Sequence, residues 1–186
     1  MKADALAKEI NVGQALVRGA CPICGVLKDF QAALAEKVEV RADLHLCNFH
    51  TWLLARLAPA KGAAAVYLKL LEDSPAFKVE VSGCDFCQRI LEQEKLQLRE
   101  LVKQMQRDML VQWMKVQGSL CLRHSRKLHD HAPLKMRRLI DEIVERTRAE
   151  LKQELGNFLE HTKQGDHTGG GILGRAAEFL VSQRGL

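Results

Sequence analysis

Three features of this 186-residue chain predict an all-α fold. Ala, Leu, Lys, Glu, Gln and Arg dominate its composition, and these residue types lose least on entering a helix. Apolar residues recur at helical spacing through most of the chain. The nearest approaches to strand-like alternation, at 38–40 and 79–81, are too short to carry a sheet.

The elements follow in order. A first helix is expected over residues 3–17. A second begins at Cys24 and carries Leu27, Phe30 and Leu34 on one face. A third carries Cys47, His50, Leu53, Leu54 and Leu57, and breaks near Pro59. A fourth spans 62–71 and is ended by Asp73-Ser74-Pro75. The fifth is long, with Ile90, Leu98, Leu101, Val102, Met105, Met109 and Trp113 near helical period. Gly118-Ser119 stops it, and Ser119 is placed to cap the next helix, which carries Cys121 and His124. Another long helix starts around Pro133, a favoured first-turn residue. Its buried stripe is Leu139, Ile140, Ile143, Val144, Thr147, Leu151, Leu155 and Phe158. A polar, glycine-rich stretch over 162–171 leads to a last short helix with Leu173, Ala177, Phe179 and Leu180.

All six cysteines fall into one pattern used twice. Cys21-Pro22-Ile23-Cys24 is followed by Cys47-Asn48-Phe49-His50. Cys84-Asp85-Phe86-Cys87 is followed by Cys121-Leu122-Arg123-His124. Each copy is Cys-x2-Cys then Cys-x2-His, a full set of three thiolates and one imidazole for tetrahedral zinc. The copies differ in the gap between their pairs, 22 residues from Cys24 to Cys47 and 33 from Cys87 to Cys121, an excess of about three helical turns. The chain thus reads as a helical bundle with an internal duplication, stapled by two Cys3His metal sites. Its expected divisions are an N-terminal helix (1–18), a first repeat (19–81), a second repeat with long helices (82–163), and a glycine-rich hinge with a C-terminal helix (164–186).

Residues three apart share a helix face, so Cys47 and His50 aim at one point, and so do Cys121 and His124. Gly25 suits a tight turn after Cys24, whereas Gln88 stands at the matching place in the second copy. The ligand pairs are expected at helix starts, where free N–H groups and the helix dipole suit the net charge of −1 on Zn(II) with three thiolates. The simplest assignment groups Cys21, Cys24, Cys47 and His50 in one site, and Cys84, Cys87, Cys121 and His124 in the other. A crossed assignment, with Cys21 and Cys24 joined to Cys121 and His124, satisfies the same ligand count.

Two zinc ions per chain are the expected cofactors. An iron–sulfur cluster with Cys3His ligation is the alternative, since thiolates also select iron–sulfur units. A thioredoxin-like redox role for Cys21-Pro22-Ile23-Cys24 would need neighbouring strands, and it would leave both Cys-x2-His pairs unexplained. A c-type haem needs Cys-x-x-Cys-His, which neither copy has.

The N-terminus lacks the long apolar core of a secretory signal, and no apolar run approaches the roughly 20 residues of a membrane span. A soluble, cytoplasmic protein is expected, with no membrane partner. The net charge of +5 permits contact with nucleic acid without demanding it. Arg123, Arg126, Lys127, Lys135, Arg137 and Arg138 form a basic stretch around the second Cys-x2-His, and it could touch phosphates. A solvated helix face beside Asp141, Glu142 and Glu145 fits the charge pattern better. The segment from Gly169 through Gly170 and Gly171 to Arg175 resembles a phosphate loop only superficially. It has arginine where lysine is needed, no following hydroxyl residue and no preceding strand, so it reads as a hinge. His129, His131, His161, Asp166 and His167 show no diagnostic spacing and read as loop residues.

The paired motifs, with the apolar run Thr51-Trp52-Leu53-Leu54 after the first histidine, resemble a family of prokaryotic helical proteins of unassigned function. The tail over 158–185 is similar to the end of such proteins. The resemblance would cover nearly the whole chain and implies a bacterial or archaeal origin. No catalytic constellation is present, so the expected function is a non-enzymatic zinc protein acting on an unknown protein partner. A redox protein (electron carrier or thiolate sensor) and a nucleic-acid-binding regulator are the alternatives.

Overall fold

The structure is a computed structural model that describes residues 21–38, 44–73, 83–106, 111, 114–115, 118–163 and 171–182. The described residues contain seven helices and no strand. They are α1 Pro22–Glu36, α2 Asn48–Leu57, α3 Ala60–Asp73, α4 Asp85–Gln104, α5 Leu122–His131, α6 Leu134–Lys163 and α7 Gly171–Val181. The all-α expectation therefore holds. The helix expected over 3–17, the alternation at 79–81, the apolar positions Met109 and Trp113, and the segment 164–170 with Asp166 and His167 lie outside the described residues.

Prolines set several of the boundaries. Pro22 opens α1, where its fixed φ suits the helix and its missing N–H leaves no bond unmade. Ala58 and Ala132, each ahead of a proline, take extended backbone (ψ 150° and 144°) and so end α2 and α5. Pro133 stands just before α6 rather than in its first turn, and its carbonyl accepts from Met136 N (2.8 Å) and Arg137 N (3.2 Å).

The chain divides into two compact units. The first is built on Leu27–Lys95. Its buried residues include Phe30, Leu34, Leu54, Val66, Phe86 and Ile90. Here α2 packs on α3, and the Tyr67 hydroxyl donates to the Thr51 carbonyl at 2.7 Å. The second unit takes the start of α1 up to Val26 together with everything described from Leu96 onward. In it α5, α6 and α7 pack against one another. The α6 stripe is buried at Leu139, Ile140, Ile143, Val144, Thr147 and Leu151, while Leu155 and Phe158 are only half-buried. Each unit draws on both copies of the cysteine pattern.

In the second unit, the Arg146 guanidinium donates to the carbonyls of Lys115 and Gly118, and to that of Met114 at 3.4 Å. These bonds tie α6 to the segment that leads into Cys121. Gly118 is required there by close approach. A Cβ at this position would lie 2.7 Å from the Met114 Cα and 2.8 Å from its carbonyl oxygen, both backbone atoms that cannot swing aside.

Gly118→Ala should therefore destabilise the protein by about 1–3 kcal/mol. Gly156→Ala, inside α6 with nothing within 4 Å of the added methyl, should stabilise it by about 0.5–1 kcal/mol. Urea unfolding followed by far-ultraviolet circular dichroism measures both, and the opposite order would refute the close approach at Gly118.

Candidate metal centres

All four ligand pairs share one local geometry. Cys21, Cys47, Cys84 and Cys121 each stand immediately ahead of a helix, and Cys24, His50, Cys87 and His124 follow three residues later in its first turn. In every copy the leading cysteine's carbonyl accepts the first helical bond, from Gly25 N (3.1 Å), Thr51 N (2.9 Å), Gln88 N (3.0 Å) and Ser125 N (2.9 Å). Both ligands of a pair therefore lie on one face of the first turn. In two of the four the sulfur also takes the place of an ordinary capping oxygen. Cys84 Sγ accepts from Cys87 N and Cys121 Sγ from His124 N, each at 3.5 Å.

This geometry corrects two expectations. Cys121 itself caps α5, so Ser119 does not. Gly25 lies within α1, and Gly83 is the only described glycine with positive φ (72°). The tight turn thus precedes a Cys-x2-Cys pair instead of following it. Gly25 and Gln88 hold equivalent helical positions, where no unusual dihedral is needed.

The grouping of the pairs is also corrected. The assignment of Cys21, Cys24, Cys47 and His50 to one site, and of Cys84, Cys87, Cys121 and His124 to the other, is not what the fold makes. Cys21, Cys24, Cys121 and His124 converge in the second unit, and Cys47, His50, Cys84 and Cys87 converge in the first. The helices carry the chain away from each Cys-x2-Cys pair before the next ligand pair is reached. The 15 residues of α1 span about 22 Å, so the chain leaving Glu36 starts a full helix away from Cys21 and Cys24. The 20 residues of α4 span about 30 Å and separate Cys87 from the chain that leads to Cys121. Each site is instead made by two helix N-termini, α1 with α5 and α2 with α4.

Within each cluster the four ligand atoms lie within 4.8 Å of one another. The Cys24 and Cys121 sulfurs are 3.7 Å apart, and those of Cys47 and Cys87 are 3.8 Å apart. A tetrahedral ion with bonds of about 2.3 Å to sulfur spaces two thiolates by about 3.8 Å. His124 presents Nδ1 to Cys21, Cys24 and Cys121 at 3.5, 3.2 and 3.2 Å. His50 presents Nδ1 to Cys47, Cys84 and Cys87 at 3.2, 3.3 and 3.4 Å. All six cysteines are free thiols, and three per cluster cannot pair off as disulfides without leaving one over. The residues present fit one metal ion in each cluster.

The surroundings differ between the clusters. All four ligands of the α1–α5 cluster are buried, whereas Cys47 and Cys87 of the α2–α4 cluster are half-buried. Phe49 and Phe86 pack on the His50 ring at centroid distances of 5.1 and 5.5 Å. His50 Nε2 is buried among them with no hydrogen-bond partner in the described residues, although ligating histidines usually donate this second N–H. Asp85 holds the two ligand loops of this cluster together. Its carboxylate accepts from His45 N at 2.7 Å, and its own N–H donates to the His45 carbonyl at 2.9 Å. Sequence reasoning missed Asp85, although an acid directly after a capping cysteine favours a helix start.

The thiols of each cluster compete for charge. Burial pushes the Cys21 thiol up, but hydrogen bonds from Cys121, Cys24 and His124 outweigh it and hold Cys21 well below the usual thiol range. Cys24 is pushed far up by its hydrogen bonds with Cys121 and Cys21, then by burial and the charge beside it. In the other cluster, burial raises Cys47 but the His50 N–H, Cys87 and Cys84 bring it below its ordinary value. Burial and then Cys84 push Cys87 up to about 12. Burial also lowers His50, which favours the neutral, ligating ring. Three thiolates side by side repel one another, so ionising all of them requires a positive ion at their centre.

Among the described residues, the others singled out in the sequence do not join either cluster. His129 Nε2 lies 3.8 Å from an Asp141 carboxylate oxygen on the partly exposed side of α5. His131 and His161 are exposed. No described helix is long and apolar enough to cross a membrane. No family model, curated protein or solved structure matches the chain.

The crossed grouping has a direct test by metal stoichiometry. Cys24→Ser with Cys121→Ser damages one cluster and should leave about one tightly bound ion per chain. Cys24→Ser with Cys47→Ser damages both and should leave none, and the reverse result would restore the within-copy grouping. Protons give a second check. Ordinary thiols are mostly protonated at neutral pH, and the surroundings of Cys24 and Cys87 push them further up, so an incoming metal must displace protons. Metal affinity should fall as pH falls, with protons released on binding. Titration calorimetry in buffers of different ionisation enthalpy counts them, and no release would contradict the ligand roles of Cys24 and Cys87.

Proposed function

We propose that this is a non-enzymatic zinc protein, in which two mononuclear zinc ions decide whether the fold exists and the surface engages another macromolecule. The observation that carries the reading is the closure of each four-ligand set within 4.8 Å at two helix N-termini. Thiolates and imidazole suit zinc, and four protein ligands leave no open position of the kind a catalytic zinc keeps for water. A polynuclear iron–sulfur cluster spreads its ligands over several irons, whereas these ligand atoms crowd around a single point.

Magnitudes support a structural role. Zinc binding is worth about 10–16 kcal/mol in small finger peptides. A whole domain is stable by only about 5–15 kcal/mol. Here the ions clip segments 97–103 residues apart at one site and up to 40 apart at the other. Closing long loops is where such a clip stabilises most.

Elemental analysis of anaerobically purified protein should find about two zinc ions per chain and no visible absorbance. A strong chelator should then abolish most of the helical dichroism. Iron with sulfide and a broad visible band would overturn the assignment to zinc. Unchanged helicity in metal-free protein would overturn the structural role.

A further inference from the structure

The chain's charge is unevenly placed. Residues 122–138, which run from the start of α5 through the turn and into α6, hold six of the 28 lysines and arginines but only Asp130 of the 23 acids. The other residues carry 22 of each sign, so this one helical hairpin accounts for the whole formal excess of +5. The hairpin lies within the second unit and is held at one end by Cys121 and His124. Its basic positions begin at Arg123 and end at Arg138, and acids return at Asp141, Glu142 and Glu145. Arg126, Lys135 and Arg138 are exposed. Arg126 also lines a cleft of about 330 Å³ between α5 and α6, shared with His129 and Arg148 and with the acids Asp130 and Asp141, so the cationic face is the exposed side at Arg126, Lys135 and Arg138 and not the cleft itself.

We propose that this hairpin is a docking surface for the phosphate backbone of a nucleic-acid duplex. The proposal rests on the reading of the protein as a zinc-stapled binding module and names its partner class. Charge complementarity is the first ground. Ten residues of α5 span about 15 Å, enough to face several phosphates of a duplex that carries one charge per roughly 1.7 Å of axis. Single strands fit less well, because no Phe, Trp or Tyr lies between 122 and 138 to stack on bases. A membrane surface also fits less well. The apolar side of α5 is spent on packing, with Leu128 fully buried, and Leu134 is the only exposed large apolar residue of the hairpin. The metal site's part is rigidity, since it fixes the first turn of α5 and so the spacing of the cations.

The test uses the full-length zinc-loaded protein and a fluorescein-labelled 20-base-pair DNA duplex, read by anisotropy across a salt series. The parent should bind at roughly micromolar strength, weakening steeply with salt. Arg126→Ala with Lys135→Ala and Arg138→Ala should weaken binding at least tenfold and flatten the salt slope by about three units. Arg126→Lys with Arg138→Lys keeps the charge and should bind like the parent. Lys28→Ala with Lys61→Ala and Lys103→Ala, equal charge lost from exposed positions elsewhere, should also bind like the parent. Equal binding by the parent and the hairpin triple variant would overturn the proposal, as would tighter retention on anionic phospholipid vesicles than on the duplex. Zinc content and dichroism measured on the same samples separate this failure from failure of the zinc reading.

Discussion

Everything in this structure depends on gathering three thiols and an imidazole at one point without letting their charges push the site apart. Six cysteines are placed in two such groups, and in each the thiols share hydrogen bonds and compete for negative charge. Cys21 and Cys47 fall below their ordinary values, while Cys24 and Cys87 rise above theirs. A buried trio of this kind is stable either partly protonated or around a cation. The helix N-termini aimed at each cluster favour the second state, because their N–H groups suit the residual negative charge of a metal–thiolate centre.

The four ligand pairs are best understood as one device used four times. A cysteine stands before the first turn and a second ligand sits three residues on, whether that ligand is cysteine or histidine. Each cluster joins one pair of each type. Along the chain the pairs nest, with the α1 and α5 pairs enclosing those of α2 and α4. The outer clip therefore encloses nearly a hundred residues, including the whole of the inner clip. Nested clips let the inner site form early, from segments at most 40 residues apart, and leave the outer site to close a chain already shortened by it.

What the sequence revealed follows from what is local. Helix type, the buried face of α6 and the identity of all eight ligands rest on spacings of three or four residues, which helical geometry fixes by itself. The ligand grouping rests on which helix ends meet, and that depends on long-range packing that no motif encodes. A repeated motif invites the assumption that each copy closes on itself, whereas the packing brings together helix starts from different copies. Gly25 misled for a related reason, since a glycine beside a ligand resembles a turn until the helix is seen to begin three residues earlier. Asp85 stayed hidden because its partner, the His45 backbone, is 40 residues away and has no side-chain signature.

The central claim is the crossed pairing of helix starts around two single ions. Cadmium-113 exchanged into the sites, with cadmium–proton correlation spectra recorded on the full chain, tests it most directly. The account predicts two resonances in the range of three-thiolate, one-nitrogen ligation. One should couple to the β-protons of Cys21, Cys24 and Cys121, and the other to those of Cys47, Cys84 and Cys87. A resonance coupled to Cys21, Cys24 and Cys47 together would contradict it.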